Sequence, residues 1–305
     1  MSIGVVGRAL WILGPSLLGQ VSSSLAAGES ALEIRILARS LAPGEAVRIF
    51  VHSEDPLDSL EGTFADQPLF FLRHEPEAPT QARELWSAWS LVDLESKPGL
   101  GKVQVVGHAV SGARAHAVKT VRLLGREFPT QRLKVEPKYV TPPPEVEERI
   151  SRERQRLAAV YATRRVLPPL SSPFLPPVPG KPTSRFGTRR ILNGVPRDPH
   201  PGIDLPAREG TPVKAAAPGR IAVASELYYS GRTVILDHGG GLFTVYAHLS
   251  RIDVTEEAWV DRGQLLGLSG ATGRVTGPHL HWGAKIGDRP LDPVCLVDPT
   301  YYPAR

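Results

Sequence analysis

Seven prolines lie within the fifteen residues 168–182, and this segment restricts the folding of the 305-residue chain more than any other feature. Proline has no backbone N–H and a fixed φ angle, so such a segment neither continues a helix nor lies inside a sheet. The composition is typical of a semi-rigid, extended spacer. It therefore predicts a boundary between two folding regions, which agrees with roughly 100–200 residues per domain.

Residues 27–140, which precede this boundary, are predicted to form a β-sandwich. Short runs such as Leu32–Leu37 and Lys102–Gly107 alternate between apolar and polar residues, with Pro, Gly or Asp turns between them. Alternation with a period of two indicates strands with one buried face, and frequent turns favour antiparallel pairing. The region looks like a bacterial immunoglobulin-like module in its architecture, although it lacks the cysteine pair of antibody domains.

Residues 141–182 are predicted to connect the two regions through a helix and the proline-rich linker. Pro142–Pro144 end the sandwich, and residues 145–165 follow with acidic side chains early and arginines late. That order of charges suits the helix dipole. The apolar stripe is thin and is interrupted at Arg154, so we expect a connecting helix rather than a central one.

Residues 1–26 have the layout of a secretory signal peptide. Arg8 is their only charged residue, an apolar stretch follows it, and Ser24 and Ala26 are small residues suited to a cleavage site. An uncleaved membrane anchor is the alternative, but the apolar stretch is shorter than the ~20 residues that a membrane span requires. We therefore expect an exported protein without a membrane span after cleavage.

The charge and the single cysteine argue against two further classes of protein. The net charge of +5 favours an anionic surrounding. No run of five Lys or Arg residues occurs, so nucleic-acid binding is not expected. Cys295 is the only cysteine, so neither an intramolecular disulfide nor a cysteine-rich zinc finger can form. A metal site in this chain must therefore be built from histidines and carboxylates.

Residues 183–305 again contain predicted strands, and four of their five histidines fall into three arrangements. His200 and Asp204 lie four residues apart, and His248 ends a predicted strand. His279 and His281 lie at positions i and i+2 of another strand, so they share one face. Each arrangement alone is common, but together they offer the nitrogen and oxygen ligands that zinc accepts.

Eight segments surround these histidines in a fixed order: Ser184–Arg190, Asn193–Gly194, His200–Leu205, Thr211–Val213, Ala216–Gly219, Thr244–Leu249, Gly270–Gly273 and Gly277–His281. In this order they resemble the lysostaphin-type (LytM-like) zinc metallopeptidases over residues 183–298. The resemblance implies a small antiparallel β-sheet domain with a groove. It also implies hydrolysis of peptide bonds in the cross-links or stem peptides of peptidoglycan, in the bacterial periplasm or cell envelope.

The same resemblance implies roles for five residues. One Zn²⁺ ion would be held by His200, Asp204 and His281, and His248 and His279 would be active-site histidines that do not bind the metal. All five positions are occupied, which favours an active enzyme. The alternative is a non-catalytic cell-wall scaffold or an activator of another wall hydrolase, since members of that kind usually lack some of these residues.

Two neighbouring residues are candidates for the groove. Tyr246 precedes His248 by two positions and is predicted to face the same side of the strand, where its hydroxyl would be an oxyanion donor; packing is the alternative role. Asn193 lies near the groove in the resemblance, or it serves only as a turn residue. The sequence also leaves open whether residues 27–140 bind the wall, dock an envelope protein partner or cover the groove.

Overall fold

The computed structural model describes residues 32–75 and 84–302, so the predicted signal peptide lies outside the described residues. Within those ranges, no helix is long and apolar enough to cross a membrane. The strands and the α-helix are β1 Leu32–Leu37, β2 Ala46–Ser53, β3 Leu57–Phe64, β4 Gln67–Pro68, β5 Leu72–Arg73, β6 Glu84–Leu91, β7 Gly99–Ala109, β8 Arg114–Leu123, β9 Thr130–Leu133, α1 Pro144–Ala162, β10 Arg189–Leu192, β11 Val195–Arg197, β12 Gly202–Leu205, β13 Pro212–Lys214, β14 Gly219–Leu227, β15 Gly231–Asp237, β16 Leu242–Ile252, β17 Trp259–Val260, β18 Leu265–Ser269, β19 Leu280–Ile286 and β20 Arg289–Leu291. Three short 3₁₀ helices cover Pro137–Tyr139, Pro293–Val297 and Pro299–Tyr301.

The N-terminal region contains two four-stranded antiparallel sheets, in the orders β1-β2-β6-β5 and β4-β3-β7-β8. Buried side chains from both sheets belong to one apolar core, among them Ile49, Phe64, Trp86 and Val103. Strand β7 alternates strictly between buried and exposed residues over most of its length, as its sequence predicts. The mainly β architecture is confirmed, and the immunoglobulin-like assignment of this region stays a prediction.

The C-terminal region is a nine-stranded sheet whose main order is β12-β19-β16-β15-β14-β17. Its strand pairs are antiparallel throughout, as predicted. The predicted hairpin is formed by β15 and β16, and its tip is Gly239–Gly241. All three glycines there have φ between +62° and +85°, a conformation that other residues rarely adopt. This sheet carries the motif histidines.

Helix α1 packs against Phe243 and its neighbours on one face of this sheet. It begins at Pro144, a favourable first helical position, and has Glu145 and Glu147 in its first turn. Near its other end, the ring of Tyr161 contacts the ring of Phe243 edge-on, with 5.4 Å between centroids. The apolar stripe thus attaches the helix to the C-terminal sheet along its last turns, as a connecting helix requires.

The proline-rich segment does not stand free between the two regions. Leu170, Phe174 and Val178 are buried in the main apolar core. The backbone N–H of Phe174 donates to Leu296 over 3.0 Å, and that of Leu175 donates to Ala216 over 2.7 Å. The prolines predicted a spacer, but the apolar residues between them were not taken into account. These residues pack against the C-terminal sheet because their burial removes apolar surface from water.

The two regions also share a packed seam. Ala46, Trp89 and Leu91 of the N-terminal sheets belong to the same buried cluster as the C-terminal core. The Tyr301 hydroxyl donates to the carbonyl of Ala46 over 3.0 Å. Strand β9, which follows the N-terminal sheets, pairs in parallel with β10 beside the motif histidines. The N-terminal region is therefore part of the scaffold around the site.

Candidate metal centre and active site

Strand register brings the predicted metal ligands together. Asp204 on β12 pairs directly with His281 on β19, and His281 pairs on its other side with Ala247 on β16. Directly paired residues of antiparallel strands share a face of the sheet. His200 precedes β12 by two residues and is fully buried. The spacing of four between His200 and Asp204 thus places one ligand at the strand's entry and the other inside it.

The three side chains offer donor atoms to a common point. His200 Nε2 lies 2.9 Å from His281 Nδ1 and 3.0 Å from Asp204 Oδ1, and His281 Nδ1 lies 3.0 Å from the same oxygen. Bonds of about 2.0–2.1 Å in a tetrahedral arrangement place donor atoms roughly 3.3 Å apart. The triangle therefore fits one zinc-sized ion. Among the described residues, these three side chains are the group that could hold a metal ion.

The backbone fixes His200 in the form that binds a metal. Its Nδ1 lies 3.1 Å from the carbonyl oxygen of Arg185, which can only accept a hydrogen bond, so Nδ1 carries the proton. The lone pair is then on Nε2, which faces Asp204 and His281. Burial lowers the pKa of His200 to about 4, so the imidazole is neutral at physiological pH.

Asp204 is held as a carboxylate from two sides. Burial alone would raise the pKa of Asp204, but its close contacts with His200 and His281 outweigh burial and hold that pKa well below its ordinary value. The other oxygen, Oδ2, accepts a hydrogen bond of 2.9 Å from Arg190 on β10. Arg190 belongs to one of the sequence motifs, but its ion pair with Asp204 was not predicted. Nothing in the sequence indicates that β10 lies beside the ligand strand.

Gly202 allows the two ligand strands to approach. A Cβ atom at this position would lie 2.5 Å from the carbonyl oxygen of Trp282 and 2.9 Å from the His281 ring. Both contacts are far shorter than van der Waals distance, so a larger residue would push β12 away from β19. The glycine between His200 and Asp204 is thus needed for close packing at the centre.

His248 reaches the site through an unusual backbone conformation. Its φ is +65°, which breaks the alternation of β16 at that position. Nδ1 donates to the carbonyl of Thr272 over 2.8 Å, so Nε2 is unprotonated. Burial is the main cause that lowers the pKa of His248 to about 3, and the neighbouring imidazoles of His281 and His279 contribute to the decrease. His248 is therefore a neutral imidazole able to accept a proton.

His279 faces the same cluster. Its ring centroid lies 4.9 Å from that of His248, and its Nε2 lies 3.6 Å from Asp204 Oδ1. Nδ1 donates to the carbonyl of Gly277 over 2.8 Å, which orients the ring. The two histidines at i and i+2 thus both face the site, and all five predicted residues lie together.

The two groove candidates take the alternative roles that the sequence left open, packing for Tyr246 and a turn for Asn193. Tyr246 is fully buried, and its hydroxyl accepts hydrogen bonds from the Ala216 N–H and the Thr244 hydroxyl. Alternation put Tyr246 and His248 on one face, but the left-handed backbone at His248 removes that relation, so Tyr246 faces the core and is not an oxyanion donor. The Asn193 side-chain amide accepts a hydrogen bond from the Val135 N–H and donates one to the Val135 carbonyl. Asn193 is therefore a turn residue that fixes the segment after β9.

His238 and Cys295 have structural roles. His238 is buried; its Nδ1 donates to the Pro218 carbonyl over 2.7 Å, and its Nε2 lies 2.7 Å from the Thr244 hydroxyl. Cys295 is buried and contacts the Asp292 carbonyl. Neither residue reaches the cluster of five.

An antiparallel sheet with a His-Asp-His donor triangle and two further histidines beside it has the arrangement of a metallohydrolase site. Residues 198–293 match the model of peptidase family M23, so the chain contains an M23 peptidase domain. This region includes all five residues of the cluster.

Three known proteins illustrate the similarity. The DD-carboxypeptidase/endopeptidase Mpg of Neisseria meningitidis is 44% identical over 101 residues, 33% of this chain and 23% of that protein. The peptidoglycan DD-endopeptidase ShyA of Vibrio cholerae is 41% identical over 111 residues, 36% of this chain and 26% of that protein. The match thus spans about a quarter of these curated relatives. A crystal structure from Pseudomonas aeruginosa, assigned to peptidase M23, is 28% identical with a TM-score of 0.62, and the match covers 85% of this chain and 96% of that one.

Proposed function

We propose that this protein is an exported, zinc-dependent endopeptidase that hydrolyses peptide bonds in the cross-links or stem peptides of peptidoglycan. The observation that carries the proposal is the donor triangle of His200, Asp204 and His281, whose sides are 2.9–3.0 Å. Three donor atoms that converge at these distances can bind one cation together. Relatives of the domain are named as peptidoglycan DD-endopeptidases, which supports the substrate class.

Two imidazoles and one carboxylate suit zinc and leave a fourth position open. The ion, when bound, supplies Lewis-acid polarisation of the scissile carbonyl and acidifies water toward neutral pH. Arg190 keeps Asp204 oriented as a ligand, and the Arg185 carbonyl keeps the Nε2 lone pair of His200 directed at the metal. Each ligand is thus fixed by a second contact, which raises the precision of the site.

His248 and His279 would carry the proton transfers. His248 is neutral because of its burial, so its Nε2 can take a proton from the attacking water. His279 lies beside it and faces Asp204, where it can stabilise the developing oxyanion. Between them, the two imidazoles return one proton to the amine nitrogen as the peptide bond breaks.

Export and the cell envelope follow from the signal-peptide layout of residues 1–26 and from the substrate class. The N-terminal sheets are proposed to be an immunoglobulin-like domain that supports the catalytic domain through the shared seam. The non-catalytic alternative, a scaffold or activator, is disfavoured because it needs none of the five polar side chains that the fold gathers.

The experiment is digestion of isolated peptidoglycan by the purified protein, with and without a zinc chelator, followed by mass spectrometry of the released fragments. We expect chelator-sensitive products that each contain one newly hydrolysed peptide bond, and restoration of activity by added Zn²⁺. An Asp204→Asn variant is the matched control and should release nothing. Folded, zinc-loaded protein that releases no fragments would contradict the proposal and favour the scaffold.

A further inference from the structure

A cavity of about 520 Å³, here called the seam cavity, lies in the seam between the two regions. Residues 126–129 line it from the N-terminal side, and Lys181, Arg185 and Phe186 line it from the C-terminal side. None of the five clustered site residues lines it. Its volume is that of a small-molecule site, and such sites occur preferentially at interfaces between domains.

Two aromatic rings form a rigid, apolar part of the cavity wall. The rings of Phe128 and Phe186 meet edge-on, with 6.3 Å between their centroids. A Cβ atom on Gly44 would lie 2.3 Å from the Phe186 ring, and one on Gly187 would lie 2.2 Å from the Phe128 ring. Each ring is thus packed against a glycine from the opposite side of the seam. Because the rings are already fixed in place, the protein loses little conformational entropy when a ligand lies on them.

Two of the cations that line the seam cavity are neutralised within the fold. Arg39 donates two hydrogen bonds to Glu45 and lies 4.0 Å from Asp292. Arg126 donates one hydrogen bond to the same glutamate over 3.0 Å. These two arginines therefore already have partners and leave little charge for a ligand.

Lys181 and Arg185 are the other two cations of the lining, and they lack such partners. Both residues are exposed, and across residues 32–75 and 84–302 neither forms a side-chain hydrogen bond or an ion pair. Glu127 is the remaining acidic residue of the lining. The cavity therefore presents a surplus of positive charge beside its apolar wall, which favours an anionic ligand.

The C-terminal wall of the cavity also holds two residues of the donor triangle through its backbone. The Arg185 carbonyl accepts the hydrogen bond from His200 Nδ1 over 3.1 Å, and the Gly187 N–H donates to the His200 carbonyl over 2.9 Å. The Thr183 N–H donates to the Asp204 carbonyl over 2.8 Å. A ligand that orders residues 181–187 would therefore act on the placement of His200 and Asp204.

We propose that the seam cavity is a second ligand site, which binds a small amphipathic anion. Its phosphate or carboxylate group binds Lys181 and Arg185, and its apolar part lies against Phe128 and Phe186. Arginine suits such an oxyanion through its planar fork, and lysine suits it as a point charge. Binding stabilises residues 181–187 and thereby raises the affinity of the donor triangle for its ion. The site goes beyond the proposed peptidase function, because none of the five clustered residues lines the cavity.

The test measures equilibrium binding of naphthyl phosphate to the purified, metal-free protein by isothermal titration calorimetry. Naphthol supplies the apolar part alone, inorganic phosphate supplies the anion alone, and naphthoate has a carboxylate in place of the phosphate. The cavity variants are Lys181→Gln and Arg185→Gln. Lys97→Gln and Arg189→Gln are the matched controls, because both residues are exposed and neither lines the cavity.

Naphthyl phosphate should bind the wild type at least about 10-fold more tightly than naphthol or inorganic phosphate does. Lys181→Gln and Arg185→Gln should each weaken this binding by about 10-fold, and the two controls should leave it unchanged. The tighter ligand of naphthyl phosphate and naphthoate identifies the anionic group. Equal affinity for naphthyl phosphate and naphthol, or unchanged affinity in both cavity variants, would overturn the site.

A zinc titration tests the connection to the donor triangle. Measured against a fluorescent chelator, zinc affinity should rise by about 5-fold or more in saturating naphthyl phosphate, and zinc should raise the affinity for naphthyl phosphate by the same factor. Both increases should disappear in Lys181→Gln. Equal zinc affinity with and without naphthyl phosphate would overturn the connection.

The same titration separates the seam cavity from the metal centre. Binding of naphthyl phosphate that requires zinc and is unchanged in Lys181→Gln would place this anion at the donor triangle and reject the seam site. Neither measurement involves hydrolysis. Their outcome is therefore independent of whether the protein digests peptidoglycan.

Discussion

Both regions of the molecule bury charged and polar side chains, but the partners of these groups differ. In the N-terminal region, Glu45 is 1% exposed and accepts two hydrogen bonds from Arg39 and one from Arg126. In the C-terminal region, His200, Asp204 and His281 bring their donor atoms within 3.0 Å of one another. The first group is neutralised within the fold and contributes to stability. The second gathers three groups that could hold a cation, which is the mark of a site.

The largest effect is expected from the metal ligands. Asp204→Asn removes the negative charge of the donor triangle, so zinc should be lost and turnover on peptidoglycan should fall by about 1,000-fold or more. Inductively coupled plasma mass spectrometry measures the zinc, and urea unfolding checks that the fold persists. Normal zinc content and normal turnover in this variant would show that the donor triangle, like the Glu45 cluster, serves only the stability of the fold.

His248→Ala should be the next largest change. It removes the proposed proton acceptor but no ligand, so turnover should fall by roughly 100- to 10,000-fold while zinc stays bound. The comparison with Asp204→Asn separates proton transfer from metal binding. A variant that keeps wild-type turnover would show that His248 has no part in the reaction.

Glu45→Gln should have the opposite pattern to both. Without the carboxylate, Arg39 and Arg126 lose their buried partner, and the free energy of unfolding should fall by about 2–3 kcal/mol. Turnover and zinc content per folded molecule should stay at the wild-type level because the seam lies apart from the donor triangle. Urea denaturation and a zinc assay measure the two sides of this prediction, and a loss of zinc would contradict it.

His238 should make stability depend on pH. Burial lowers the pKa of His238 to about 4, below the unfolded value of about 6.5. The unfolded chain therefore binds the proton more readily as the pH falls below 6.5, and about 2 kcal/mol of stability should be lost between pH 7 and pH 4.5. Urea unfolding of the wild type and of His238→Gln at both pH values isolates this contribution; equal pH dependence in the two proteins would refute it.

Tyr246→Phe should have the smallest effect. The substitution removes the hydroxyl that satisfies the Ala216 N–H, so stability should fall by about 1–3 kcal/mol. Turnover should not change, because the hydroxyl lies in the core. A large loss of turnover with unchanged stability would restore the oxyanion role that alternation predicted.

The sequence predicted those features that depend on the spacing of residues and on motifs. The His-x-x-x-Asp and His-x-His patterns have a direct geometric meaning on strands, and the resemblance to the lysostaphin-type metallopeptidases joined them with His248 into one set of five residues. Antiparallel strands and the connecting helix were also predictable from alternation and from the order of charges. Each of these depends on neighbours along the chain.

What the sequence could not predict depends on contacts between distant segments or on one backbone angle. The φ of +65° at His248 reverses the face on which its side chain lies, and no residue-type signal marks it. The proline segment packs because of Leu170, Phe174 and Val178, whose partners lie far along the chain. Arg190 acquires its role only when β10 meets β12 beside the centre.

The central claim is that the donor triangle binds the ion on which hydrolysis depends. The most direct test is to strip the protein of metal and titrate it with Zn²⁺ while measuring both bound zinc and the rate of peptide release from peptidoglycan. We expect activity to rise linearly and to reach its plateau at one zinc per chain, with no rise in Asp204→Asn. Full activity of the stripped protein, or a plateau unrelated to one bound ion, would contradict the account.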